Sequence, residues 1–325
     1  MSTLTENLEL VKHAAGYEGW ADDMNANLDK IDAIPTGLLR SNYLINGGLR
    51  EWARGTSFTA NCLFTADRWF FVHYTGEGSI TRMGFTPGQT DVPGNPKYYM
   101  RCNFASNGVM CIDQRIEDVN TLAGERVSGS FWTRANESVP LDAVILEQNF
   151  GTGGSDTVYT YATTDATTID NTWRKITFTA DLPGIAGKTI GVNSRLKAAF
   201  YFGSYGSYVD LAQFQLNKGN YPYPFSEREP AIEKLLCQRY YQTETMLHRT
   251  LGSGTTHYIC EWIPFKVTMR AAPTCVVMGD LTDGATFTSW DSALPMSDGI
   301  FISKLIQNTE GFLDIDGFTA DAELY

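Results

Sequence analysis

Short stretches of alternating apolar and polar residues, each closed by a glycine or proline turn, fill residues 41 to about 228. The clearest are Val209-Asp210-Leu211-Ala212-Gln213-Phe214-Gln215-Leu216 and Lys175-Ile176-Thr177-Phe178-Thr179. A period of two sends successive side chains to opposite sides of a strand, so such a run buries one face and wets the other. Turn signals separate the runs at Gly76-Glu77-Gly78, Pro93-Gly94-Asn95-Pro96, Gly151 to Ser155 and Pro183-Gly184. Many short strands at this spacing predict a two-sheet sandwich. Tyr, Phe and Trp, at 13% of the chain, favour strands, and the 30 glycines serve tight turns.

The two ends read differently. In the run Trp20 to Ile34, Met24, Leu28 and Ile31 fall at i, i+4 and i+7, one helical stripe that Pro35 and Gly37 close. So short a helix needs a partner surface. It reads as an anchor, or as a helix folded onto the next domain. After a linker from Gly219 to Pro230, the segment Ile232 to Tyr241 predicts a short amphipathic helix with Ile232, Leu235, Leu236 and Tyr240 on its apolar stripe. Residues 242 to 325 then read as a smaller β domain. The expectation is therefore an anchor over 1–40, a β-sandwich over 41–228, and a helix plus β domain over 229–325.

Charge and composition exclude several functions. The net charge is −12, and no Lys/Arg run exists to neutralise a phosphate backbone, so no nucleic-acid partner is expected. Neutral sugars or proteins fit better. The N-terminus has no apolar core behind a basic start, and no stretch approaches the length of a membrane helix, so neither a secretory signal nor membrane insertion is expected. The six cysteines stand far apart in strand-like surroundings without a C-x-x-C pair, which predicts buried free thiols rather than zinc ligands. Assembly in a reducing cytoplasm agrees with that. The four histidines form no H-E-x-x-H, and neither a nucleophile-elbow nor a phosphate-binding glycine pattern is present. The chain is expected not to be an enzyme.

Several phrases in order resemble tail fibre and tail-appendage proteins of bacteriophages that carry a lectin-like, carbohydrate-binding-module-like β-sandwich. Gly16 to Asp32 is similar to the segment near their attachment end. Asn46-Gly47, Trp52, Arg54-Gly55-Thr56-Ser57-Phe58 and Ala66-Asp67-Arg68-Trp69 resemble the opening of the sandwich. Tyr208 to Ala212, then Phe214 to Gly219 and Pro224 to Arg228, resemble its close. Leu235 to Tyr241, Met269 to Thr274 and Thr319 to Leu324 match recurrent phrases further on. The resemblance implies a mostly β fold: a jelly-roll sandwich with a short N-terminal helical anchor and a second, smaller C-terminal β domain. It implies a homotrimer located in the virion tail or collar, joined to other tail proteins through residues 1–40 and recognising a host cell-surface glycan. The alternatives are a surface-polysaccharide hydrolase or esterase, and a virion decoration without ligand.

Sugars stack on aromatic rings and bridge their hydroxyls to carboxylates and guanidinium groups. Tyr201, Tyr205 and Tyr208, interleaved with glycines, are candidates, as are Tyr159 and Tyr161 after Gly151 to Gly154. In the last domain the candidates are Tyr258, Trp290 and Asp291, with His257 beside them. Trp52, Arg54, Asp67, Arg68 and Trp69 allow two readings, a sugar platform or a braced turn at the start of the sandwich. No cofactor is expected beyond a structural calcium, which the resemblance would place on Asp210. Arg50 stands where such sites often carry an acid.

Overall fold

The computed structural model describes residues 3–4, 11–12, 22–24, 26–27, 42–104, 108–204, 207–251, 257–281, 292–306 and 312–325. Two compact units divide the chain, Met1–Arg228 and Glu229–Tyr325. At the start, β1 (Thr3–Leu4) and β2 (Val11–Lys12) form a short antiparallel ladder, a feature absent from the helical reading of this segment. Residues 22–24 and 26–27 are helical, and Met24 is exposed there. Leu28 and Ile31 lie outside the described residues.

The sandwich begins with β3 (Ser57–Phe58), β4 (Leu63–Phe64), β5 (Trp69–His73), β6 (Gly78–Gly84) and β7 (Tyr98–Phe104). Next come β8 (Gly108–Glu117), β9 (Arg126–Ala135), β10 (Val139–Asn149), β11 (Val158–Tyr161) and β12 (Thr163–Thr164). It closes with β13 (Thr168–Ile169), β14 (Arg174–Asp181), β15 (Arg195–Ser204) and β16 (Tyr208–Lys218). Sheet I has the order β11-β10-β15-β8-β5-β4, with β13 also on β10. Sheet II has the order β12-β14-β9-β16-β7-β6-β3. From β7 onward nearly every connection crosses between the sheets, which gives the jelly-roll architecture. The two alternating runs noted above are β14 and β16.

Both inner faces carry the apolar half of that alternation. Phe71, Ile112, Leu146, Leu196 and Phe200 of sheet I meet Ile80, Met100, Phe131, Phe178, Leu211 and Phe214 of sheet II in one core. Its centre is aromatic: Trp69 packs on Phe214 at 4.3 Å between ring centroids, and Phe200 meets Phe214 at 5.0 Å and Phe131 at 5.2 Å. Facing rings interdigitate in this way where inward residues of two sheets meet.

The motif-bearing segment from Asn42 to Trp69 packs Leu44, Leu49, Trp52, Ala66 and Trp69 into the core of the sandwich. Asn46 sits at φ 56°, a left-handed conformation that asparagine tolerates. Its side-chain oxygen accepts from Arg50 N at 2.8 Å and Glu51 N at 3.0 Å, and its amide donates to Glu51 O at 2.8 Å and Asp67 O at 3.0 Å. The indole of Trp69 donates to Asn46 O at 3.0 Å, and that of Trp52 to Leu49 O at 2.7 Å. Asn42 reaches β16, donating to Phe214 O at 2.7 Å and accepting from Leu216 N at 2.9 Å. Gly47 O accepts from Phe214 N at 2.9 Å, at the point where β16 bulges and Gln213 turns to φ 50°. A Cβ on Gly47 would collide with Phe214 O, so glycine is required there. Asn46→Ala removes four hydrogen bonds and leaves buried backbone groups unmet. We expect a loss of about 3 kcal/mol, seen as a melting temperature lower by roughly 5–10 °C.

The second unit opens with helix α1 (Pro230–Gln238). Proline at N1 starts it, and Glu233 sits in its first turn. Its buried side is Glu233 and Cys237, with Tyr240 just beyond, while Ile232 and Leu235 are exposed. This corrects the predicted stripe, which is rotated from the observed one by about one residue. Six strands follow: β17 (Tyr241–Leu251), β18 (His257–Pro264), β19 (Thr274–Leu281), β20 (Ser292–Pro295), β21 (Gly299–Ile306) and β22 (Phe312–Asp321). They form two three-stranded sheets, β17-β22-β19 and β18-β21-β20. Ile263, Phe265, Met269, Ile300, Ile302, Phe318 and Ala320 make their core. All six thiols are free; Cys102, Cys111 and Cys237 are buried, but Cys62 and Cys260 are exposed, contrary to the expectation for them.

Candidate functional site

Sheet pairing sets which outward side chains stand abreast, because residues directly opposite across a ladder share a face. On the outer face of sheet I, one row runs Tyr159, Glu147, Lys197, Arg115 across β11, β10, β15 and β8. The next row on that face is Tyr161, Ile145, Ala199, Asp113, Phe70 and Phe64. A third is Ala143, Tyr201, Cys111 and Val72. Tyr74, just past β5, joins the third row: its ring stacks on Tyr201 at 5.9 Å, with the hydroxyls 3.5 Å apart. At about 4.8 Å per strand, the middle row is roughly 20 Å from Tyr161 to Phe70.

This face has a buried floor and an exposed aromatic rim. Asp113 is 2% exposed, and Ile145, Glu147, Arg115, Ala199, Cys111, Phe70 and Phe64 are buried as well. Tyr159, Tyr161 and Tyr74 stand out at 59%, 70% and 56% exposure. The floor is charge-balanced. Lys197 Nζ meets Glu147 Oε2 at 2.5 Å, and Arg115 Nε meets Asp113 Oδ1 at 3.2 Å. The Arg115 guanidinium also covers the Phe70 ring at 4.1 Å, and Arg54 covers Phe64 at 5.2 Å.

Burial raises the Asp113 carboxyl above the ordinary aspartate value, although Arg115 and Lys197 pull it back. Folding therefore favours the protonated acid. As pH rises through the raised value that stabilisation is lost, so at neutral pH this group works against the folded state. Burial by itself would lower Lys197, but the hydrogen bond it donates to Glu147 and the charge of Asp113 hold it above the ordinary lysine value. The Cys111 thiol and the Tyr201 hydroxyl, which hydrogen-bond each other, are both pushed up by burial and stay neutral. Neither is poised as a nucleophile.

The outer face of sheet II is organised around Asp210. Its carboxylate is fully buried, while Arg101 and Arg134 are 21% and 30% exposed. Arg101 donates at 2.7 and 2.9 Å to the two oxygens, and Arg134 Nε at 2.9 Å. Phe85, Tyr99 and Trp173 pack against each other at 4.8 to 5.5 Å on the same side, under the Arg134 guanidinium. The β6–β7 connection is tied to β16 by Gln213 Nε2 donating to Pro93 O at 2.7 Å, and buries Val92. The calcium expectation is corrected here. Calcium wants six to eight oxygens, whereas two guanidinium cations occupy the Asp210 carboxylate. Among the described residues no group of three or more His, Cys, Asp or Glu side chains could hold a metal ion.

The candidate tyrosines divide between the two faces. Tyr159, Tyr161 and Tyr201 lie on sheet I. Tyr208 lies on sheet II, half-buried, with the Arg101 guanidinium 3.7 Å from its ring centre. Tyr205, Trp290 and Asp291 lie outside the described residues. Tyr258 pairs with Leu305 in β18. Trp52 and Trp69 are buried, so their segment is a braced turn and not a sugar platform. Reading by sequence missed Tyr74, Asp113, Arg115, Glu147 and Lys197. Charged residues two apart in Asp113-Gln114-Arg115 were the available signal, because only the outer face of a sandwich strand accommodates them.

No protein-family model matches the chain, and no curated protein matches it. Solved structures align over about half of it. One is a family 61 carbohydrate-binding module in complex with β-1,4-galactotriose, at 13% identity over 55% of this chain and 99% of that one, TM-score 0.32. Another is the xylan-binding CBM22-1 domain of Xyn10C from Paenibacillus barcinonensis, at 12% identity over 55% and 94%, TM-score 0.35. The enzymatically active domain of tailspike protein 4 from bacteriophage CBA120 aligns at 14% identity over 55% of this chain and 21% of that one, TM-score 0.36.

Proposed function

We propose that this chain binds a short, uncharged oligosaccharide across the outer face of sheet I, without cleaving it. One observation carries the reading: three exposed tyrosines rim a floor whose four charges are already paired. Stacking surfaces at either end suit the apolar faces of sugar rings. Between them, paired charges offer both donors and acceptors to hydroxyls, and leave no net charge to select an ion. Burial of the Asp113 carboxyl opposes folding at neutral pH, a combination common at functional sites. The sequence resemblance supports a place for the protein in a bacteriophage tail or collar, attached through residues 1–40 and trimeric, with the glycan on the host surface. Repetition of weak sites around a trimer would multiply their affinity.

The test uses the full-length protein on an array of bacterial surface polysaccharides and their fragments. Saturable binding to neutral oligosaccharides, and inhibition of phage adsorption by the free protein, are the expected results. Shortened polysaccharide chains or released acyl groups after incubation would replace binding with hydrolysis. Failure both to bind and to block adsorption would leave a purely structural role.

A further inference from the structure

A concavity lies in the first unit, apart from the tyrosine-rimmed face. It has a volume of about 600 Å³ and is lined by Thr59, Asn61, His73, Glu77, Gly78, Ser79, Asn103 and Phe104. That size falls in the range of about 300–1,000 Å³ typical of small-molecule sites. Its walls come from the margins of both sheets, β5 of sheet I and β6 and β7 of sheet II. His73 opposes the core residue Met110 across the β5–β8 ladder, so it points to the opposite side of β5 from Tyr74. Chain alternation thus sends two neighbouring residues to two different sites.

The pocket is pre-formed by its own hydrogen bonds. Asn61 donates from Nδ2 to His73 O at 2.8 Å, and its Oδ1 accepts from His73 N and Cys62 N, each at 2.8 Å. Those bonds lock the backbone that carries the imidazole. Asn103 Nδ2 donates to Ser79 Oγ at 3.3 Å across the β6–β7 ladder. A Cβ on Gly78 would run into Met110 and the Asn103 carbonyl, so the wall is drawn in tightly there.

We infer that this pocket is a second saccharide site, taking one uncharged sugar ring. Thr59, Ser79, Asn103 and His73 offer groups that donate and accept, which matches a ring of hydroxyls. Phe104, part of the sandwich core, borders the pocket. No Lys or Arg is among the lining residues. An acidic sugar would find no countercharge and would meet Glu77, so the site discriminates against it. The inference is independent of the sheet I face, because the two sites share no residue.

The experiment follows the His73 imidazole signals by NMR in the full-length protein, assigned with His73→Gln. The probes are the methyl glycosides of glucose, galactose, mannose and N-acetylglucosamine, with methyl glucuronide as the anionic comparison. At least one neutral glycoside is expected to shift the His73 signals saturably, and to do so equally in a Tyr159→Ala/Tyr161→Ala variant. Ser79→Phe, which fills the pocket, should abolish the shift. Ser79→Ala, which removes one hydroxyl from a folded pocket, should weaken binding roughly fivefold. No response to any neutral glycoside, a response to the glucuronide alone, or loss of the response in the tyrosine variant overturns the inference.

Discussion

Replacing Arg101 and Arg134 together by alanine is expected to destabilise the protein by about 3–5 kcal/mol. The Asp210 side chain is fully buried, and the change removes both of its ion-pair partners at once. For a unit of this size that is a melting temperature lower by roughly 10 °C, at about 2–4 °C per kcal/mol. The reverse change, Asp210→Ala, should cost less. The two arginines it strands are partly exposed, and long side chains can swing their charged heads into water. The triple variant should recover part of the loss, because the buried carboxylate is gone. Urea titration of the four proteins checks the order. A double arginine variant as stable as the parent would mean that Asp210 is not held as described.

Tyr159→Ala/Tyr161→Ala should leave stability almost unchanged and weaken glycan binding. Both rings are exposed, and surface substitutions of this kind usually stay within about 0.5 kcal/mol. Two stacking surfaces lost from one end of the site should weaken binding by about tenfold or more, since aromatic stacking contributes about 0.5–1.5 kcal/mol per contact beyond the area it buries. Titration calorimetry with an array-selected oligosaccharide, run beside thermal melts, separates the two effects. Unchanged affinity would move the ligand off the Tyr159–Tyr161 end of sheet I.

How much of this was readable from the sequence depended on range. The strands of Lys175 to Thr179 and Val209 to Leu216 were legible because alternation is a local pattern. So was the braced turn, as one of two readings, since Trp52 and Trp69 sit in strand-forming runs beside an Asn-Gly turn. Helix α1 was found but turned wrongly: its short length leaves the stripe ambiguous, and burial of Glu233 in place of Ile232 is decided by tertiary packing. Asp210 looked like a cation ligand because its partners, Arg101 and Arg134, lie 109 and 76 residues away. Only the β16 register with β7 and β9 brings them together. The same holds for the candidate site. Tyr159 and Tyr161 were visible as residues, but their alignment with Glu147, Lys197 and Asp113 is a property of three ladders joined in order.

A crystal structure of the full-length protein with its best-scoring neutral oligosaccharide would test the central claim most directly. We expect sugar rings lying across Ile145 and Ala199, stacked on Tyr161, with hydroxyls bonded to Glu147 and Lys197. An oligosaccharide seated on sheet II, or in the second unit, with the outer face of sheet I empty would contradict it.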